Sequence, residues 1–596
     1  MTRLVGRMFL TALLACGVVS LWAQQPASLP GGEPAKTLHA LFDEAWEWEM
    51  RQDPVQASFL GDRRYNDRWA DESLAAVEQR HRDRVAFLDR LRQIDRARLS
   101  PADQLNYDLF ESDLSRAIEA HEFRMYLLPL NQRGGIQTAD SLTQVLRFET
   151  VKDYEDWIAR LRAIPEVIEQ TQALMREGVR ARILWPKVTM ERVPGQIDKQ
   201  IVESPEKSPL YEPFTRFPES LAEADRARLS QAARGAIAQQ VVPAYRDLKN
   251  TIVAEYLPAS FDAVGIWQWP NGAGAYAFLA RRYTTTDLTP EQIHEKGLSE
   301  VSRIREEMQR IMQQVGFSGT LKAFFTHLRT EPKFYYGTAE ELLEGYRAIA
   351  KRIDPQIVKV VATPQRMPYG VIPIPDTIAP DTTTAYYNPP AADGSRAGYY
   401  YVNLYKPETR PKYEMMALSL HEAVPGHHLQ LARAMELGDI PKFRRYGGYT
   451  AFIEGWGLYA ESLGDDMGLY DDPYAKFGQL TYEMWRAVRL VVDTGMHHYK
   501  WDRQKAIDFF LDNAAKTELD VINEIDRYIT MPGQALAYKV GELKLKELRA
   551  RATEALGERF DLRTFNDAVL GSGAVPLDVL DRMMEEWIAG EHARLR

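Results

Sequence analysis

The stretch Leu418-Ser419-Leu420-His421-Glu422-Ala423-Val424-Pro425-Gly426-His427-His428-Leu429-Gln430 decides how this chain is read. Residues 415–420 and 429–437 are apolar at helical spacing, so two helical flanks meet at a Pro-Gly pair. A hydrolytic metal site on one helix uses His-Glu-x-x-His, because residues four apart share a face. Here the second imidazole comes late. His421 and His427 are six positions apart, which is about 240° around a regular helix. His421 and His428 share a face but stand about 10 Å apart along the axis. An uninterrupted helix therefore holds no ion at either pair. Pro425 lacks an N–H and its ring crowds the carbonyl of residue 421, so the helix must kink or bulge. Gly426 adds backbone freedom. Looping out two residues brings the following imidazole back beside His421.

Zinc in a hydrolase takes about three protein ligands and one water, with imidazole nitrogens at ~2.0–2.1 Å. A nearby carboxylate must take the proton of that water, and Glu422 is adjacent in sequence to the first imidazole. The third ligand is expected on a neighbouring helix. Glu454, in Phe452-Ile453-Glu454-Gly455-Trp456-Gly457-Leu458-Tyr459-Ala460-Glu461, follows a Gly447-Gly448 turn and is the candidate. Glu461 lies two turns further on and suits the partner that a metal-bound imidazole needs. Arg486, Arg489, Asp493 and His497 fall on one face of another apolar helix. Either arginine suits a substrate carboxylate, although an interhelical ion-pair network is the plainer reading. Tyr528, Gln534 and Tyr538 offer donors that suit an oxyanion; taken singly, each tyrosine reads slightly more readily as core, and at least one of the two is expected to act on substrate.

Helical signals dominate elsewhere. Ser100-Pro101 and Thr289-Pro290-Glu291-Gln292 read as helix starts, as does Thr338-Ala339-Glu340-Glu341. Residues 290–314, 338–353 and 503–516 carry helical periodicity. Residues 363–407 are instead dense in proline, and Tyr399-Tyr400-Tyr401-Val402-Asn403-Leu404-Tyr405 reads as a strand. If its edge is free, Tyr401 would lie along an extended peptide. The expected fold is mainly α, with a short sheet over 365–405 beside the helix that carries His421. A lead-in over 24–36, an N-terminal helical lobe over 37–270 and a catalytic lobe over 271–596 are expected. The boundary falls at Asn271-Gly272-Ala273-Gly274.

The 596 residues are 45% hydrophobic and 27% charged, ordinary for a globular chain. A net charge of -10 lacks the basic excess of nucleic-acid binders. Arg3 and Arg7 precede an apolar run over 8–22 that closes at Ala23, which is the layout of a secretory signal peptide over 1–23. Export to the periplasm or beyond is expected. The single cysteine, Cys16, sits inside that run. Leu13-Leu14-Ala15-Cys16 loosely resembles a lipoprotein box, but the run continues past it, so cleavage after Ala23 is preferred. The mature chain then holds no cysteine, hence no disulfide, thiolate ligand or thiol nucleophile.

The segments HEAVPGHH, FIEGWGLYAE, RAVRLVVDTGMHH and RYITMPGQALAYKVG resemble the bacterial domain-of-unknown-function 885 family. That family looks like a member of the zincin clan of thimet oligopeptidase, angiotensin-converting enzyme and the Taq-type carboxypeptidases. The resemblance implies a two-lobed helical peptidase with a central channel. It implies zinc on His421, on the histidine after Gly426 and on Glu454, with Glu422 as general base. In the clan a glycine directly precedes the second ligand, which favours His427 over His428. Tyr528, Tyr538 or His497 would lie by the scissile carbonyl. The expected function is a zinc-dependent metallopeptidase on short peptides. A zinc-dependent hydrolase of N-acyl or modified amino acids is the alternative on the same site. An exported helical binding protein with a degenerate metal site is the alternative of another class.

Overall fold

Helices open where the sequence places their caps. The Ser100 side chain accepts from Asp103 N, and that of Thr338 from Glu341 N. Thr289 and Gln292 cap each other reciprocally, each satisfying a backbone N–H that no helical carbonyl reaches. The helices that follow are Pro101–Glu122, Pro290–Gln314 and Ala339–Ile353, and the periodic 503–516 stretch forms Arg503–Asn513. The computed structural model describes residues 32–594 apart from 377–378, 380–382, 391–395 and 439. The leader over 1–23 and Cys16 lie outside the described residues. Helix Glu33–Gln52 begins inside the expected lead-in, so its last residues are helical, with Pro34 in the first turn.

Helices take 72% of the described residues, and among them one three-stranded sheet supplies the β structure, so the class is mainly α. Strands β1 (Tyr369–Pro373), β2 (Ala385–Asn388) and β3 (Gly398–Val402) lie in the order β1-β3-β2. β1 runs parallel to β3 with Val371 opposite Tyr400, and β2 runs antiparallel with Tyr387 opposite Tyr400. Tyr400 and Val402 of β3 are buried, whereas Tyr399 and Tyr401 are part-exposed, the alternation of a strand with one packed face. That packed face meets Met415, Ala417 and Leu418 of helix Lys412–Glu422. The sheet thus lies against the helix that carries His421, as expected. The expected free edge is not on β3: it is the middle strand, its hydrogen-bonding groups are taken on both sides, and the Tyr401 ring stacks on Tyr386 at 4.7 Å.

The largest apolar cluster joins Trp157, Tyr245 and Phe278 to Leu420, Trp456 and Val540, so it draws on both sides of residue 270. Asn271-Gly272-Ala273-Gly274 opens helix Gly272–Thr284. A second cluster welds helix Pro290–Gln314 to Pro473–His497 through Ile304, Met308, Val488 and Val491. Each such side chain stabilises the fold by roughly 1.5–3 kcal/mol. Among the described residues no helix is long and apolar enough to cross a membrane.

Candidate metal centre

The Pro-Gly pair does more than bend a helix. Helix Lys412–Glu422 ends at Glu422, Ala423 leaves helical geometry, and a new helix, His427–Glu436, starts at the second imidazole. The expected kink or bulge is therefore a full break, with a turn over 423–426. His428 N donates to Ala423 O at 3.0 Å across it. A Cβ on Gly426 would stand 1.9 Å from His421 O, so only glycine fits there. Trp456 Nε1 donates to Pro425 O at 2.8 Å and ties the turn to helix Thr450–Met467.

That helix brings Glu454, Gly457 and Glu461 to one face, at offsets of three and seven residues. His421, His427 and Glu454 converge, each offering one ligand atom, all within 4.8 Å of one another. Glu454 Oε2 lies 3.6 Å from His421 Nε2 and 3.5 Å from His427 Nε2. Ligand atoms of a tetrahedral zinc at the usual bond lengths stand about 3.4 Å apart. The observed spacings thus match a shared cation better than direct hydrogen bonds, whose usual upper length is about 3.2 Å. Gly457 makes the approach possible: a Cβ there would meet His421 Cε1 at 2.8 Å, His421 Nε2 at 2.9 Å and His427 Cε1 at 3.1 Å.

Behind the triad, His421 Nδ1 meets Glu461 Oε1 at 2.8 Å, and the Glu461 side chain is fully buried. Burial opposes charge on His421, but the carboxylates of Glu454 and Glu461 beside it outweigh that and push the pKa up to about 9. Burial likewise raises the Glu454 pKa, but the two imidazoles outweigh it and hold that carboxyl well below its ordinary range. Negative charge gathered around the imidazoles favours a positive occupant. Arg486 Nη2 stands 3.8 Å from Glu461 Oε1. Glu422, part-exposed, ends the helix beside His421.

His428 is held elsewhere. Its Nδ1 pairs with Tyr387 Oη at 2.7 Å and its Nε2 with Met367 O at 2.9 Å, and burial pulls its pKa down to about 4. His427 is thus the histidine that faces His421.

The remaining expected residues divide. His497 is not free to serve a substrate: its Nε2 meets Tyr528 O at 3.0 Å and its Nδ1 accepts from Ile266 N at 3.2 Å. Burial brings its pKa down to about 4, as suits a neutral ring bridging backbone. Tyr528 is also committed, donating to Glu524 Oε2 at 2.6 Å and accepting from Arg489 Nε at 2.8 Å. Tyr538 accepts from Arg527 Nη2 at 3.3 Å and keeps its own proton to donate. Gln534 Oε1 accepts from Arg527 Nη2 at 2.7 Å. Arg486 donates to Tyr482 O and lies over the rings of Tyr482 and Trp485. Sequence reading missed Gly457, and it missed Glu524 and Arg527, although their three-residue spacing beside Tyr528 marks one helix face. A cavity of about 590 Å³ among Trp69, Tyr126 and Leu142 has none of the triad in its wall.

A mainly helical chain with a small sheet against a two-histidine, one-glutamate cluster is the class that fold and site define. The family described as bacterial protein of unknown function (DUF885) matches residues 54–584, and the chain belongs to it. Two solved structures share the fold. One, from Colwellia psychrerythraea, is 28% identical with a TM-score of 0.88, covering 94% of this chain and 100% of its own. The other, from Shewanella oneidensis, is 17% identical with a TM-score of 0.73, covering 93% of this chain and 100% of its own. Both are described as a "putative lipoprotein", the second as of unknown function. No curated protein matches the chain.

Proposed function

We propose that this protein is an exported zinc-dependent peptidase acting on short peptides. One observation carries the reading: two imidazoles and a carboxylate from three helices face one centre at ligand spacing, with a buried glutamate behind one of them. The likeness of the family to the zincin clan, expected from the sequence, supports the reaction class. His421, His427 and Glu454 would hold the ion. Zinc bound there supplies a Lewis acid that polarises the scissile carbonyl and acidifies the attacking water. Glu422 takes the proton of that water on its carboxylate and delivers it to the leaving amine. Tyr538 has a hydroxyl proton to donate to the developing oxyanion, whereas Tyr528 donates its own to Glu524. Glu461 fixes the His421 ring so that Nε2 points at the centre. Export accords with the leader-like residues 1–23. The description of the two structural neighbours as lipoproteins raises the weight of Cys16 as a lipid attachment point.

The test is metal analysis of the purified protein together with digestion of a peptide library. One zinc per chain and a defined set of cleavages are expected, and Glu422→Gln keeps the zinc while losing the cleavages. A protein without stoichiometric metal, or an undiminished Glu422→Gln variant, removes the proposal.

A further inference from the structure

One helical turn beyond Arg486 along helix Pro473–His497, positive charge gathers without matching negative charge. Arg489 is 4% exposed. Its Nε donates to Tyr528 Oη at 2.8 Å and its Nη2 to Glu524 Oε2 at 3.1 Å, while Nη1 is buried with no partner. Arg527, on helix Glu518–Thr530, reaches Gln534, Tyr538 and, at 3.5 Å, Glu524 Oε1; its Nε is also buried and unpartnered. Two guanidinium groups thus share one carboxylate, and each keeps an unused N–H. The exposed Arg133 adds charge to the same corner. Its turn is pinned to this helix by Gln132 Nε2, which donates to Asp526 O at 2.8 Å and Thr530 Oγ1 at 3.1 Å. Desolvation, then the nearby Arg527 charge, lowers the Arg133 pKa.

Uncompensated buried charge is costly, so such a corner favours an anion. Guanidinium forks match the planar carboxylate in two-point contacts, which a lysine cannot do. The rings of Tyr538, 4.4 Å from the Arg489 guanidinium, and Tyr528 hold the fork in place. Arg486 has a buried, unpartnered Nε of its own, and its Nη2, 3.8 Å from Glu461 Oε1, links this corner to the metal centre through Glu461 and His421. Arg489 follows Arg486 by three residues, about 4.5 Å along helix Pro473–His497, so one helical turn joins the corner to the elements that surround the metal centre.

We propose that Arg489 and Arg527, with Arg133 at the solvent side, receive the terminal carboxylate of the substrate, so that the protein works on peptides from their C-terminal end. This rests on the peptidase reading. The test measures binding of N-acetyl-Ala-Ala and its C-terminal amide to the Glu422→Gln protein by calorimetry, and cleavage of matched acid and amide peptides by the wild type. The acid is expected to bind about tenfold tighter or more than the amide, the scale of charged hydrogen bonds. Arg527→Gln should erase that preference while circular dichroism stays unchanged. Should Arg527→Gln fail to fold, the exposed Arg133→Ala decides, with acid binding about threefold weaker, the scale of an exposed charge pair. Equal binding of acid and amide, or a preference that survives both substitutions, overturns the assignment. Preferential acid binding with no cleavage of any peptide leaves the carboxylate receptor standing and removes the peptidase reading instead.

Discussion

Two buried polar clusters lie on neighbouring helices and are built to opposite ends. Around Lys539 the charges close on themselves. Its Nζ meets Glu300 at 2.9 Å, Glu483 at 2.8 Å and Glu542 at 2.5 Å, while Lys546 and Arg303 pair with the same carboxylates. Three cations face three anions. Around His421 the ligand atoms face one another across a shared centre, at 3.5 Å and 3.6 Å, and the buried Nδ1 of His427 has no partner. Burial alone therefore does not mark a site. What marks it is a set of converging ligand atoms whose complement is missing from the chain.

That contrast can be broken by substitution. The largest effect is expected at Glu422→Gln, with kcat falling by about 10²–10⁴ and thermal stability unmoved; a large drop in melting temperature would make Glu422 a structural residue. Next comes Lys539→Met. Leaving three buried carboxylates to two cations should cost about 3–5 kcal/mol in urea unfolding, yet zinc content per folded chain should stay the same. Loss of zinc in that variant would merge the two clusters into one. Glu461→Gln is smaller: about 10–100-fold weaker zinc by competition with a chelator, as expected when the support of a ligand imidazole is removed.

The smallest effect concerns pH. Burial pushes Asp493 up to about 7, although Tyr276 Oη and Gly533 N, at 2.6 Å and 3.0 Å, favour its charge. A carboxyl with a raised folded-state pKa contributes stability that is full below its unfolded value of 3.8 and is lost as pH rises to about 7. Asp493→Asn should flatten the fall in melting temperature over that window. A wild-type slope in the variant would place the titrating group elsewhere.

The site was legible where chemistry dictates spacing. The need for two imidazoles and a carboxylate pointed to His421, to one histidine after Gly426 and to Glu454, which the structure brings together; the resemblance favoured His427 over His428, and Glu461 follows from what a ligand imidazole needs. The helical class was legible from caps and periodicity. Three things were not. Strand order depends on which segment returns to lie between two others, so the free edge assigned to Tyr401 could not be checked along the chain. His497 looked functional because it is polar within an apolar helix, but its partners, Ile266 N and Tyr528 O, lie far off in sequence. Gly457 left no signal, since the reason for its missing side chain is two imidazoles that arrive from other helices.

The turn over 423–426 has one further consequence. Because the second imidazole opens its own helix, the interval between the two is set by a connecting loop, and loops absorb insertions that helices do not. A four-residue spacing is then one solution among several. Surveys that look for hydrolases by that fixed interval will pass over any chain that solves the problem with a hinge between two rods.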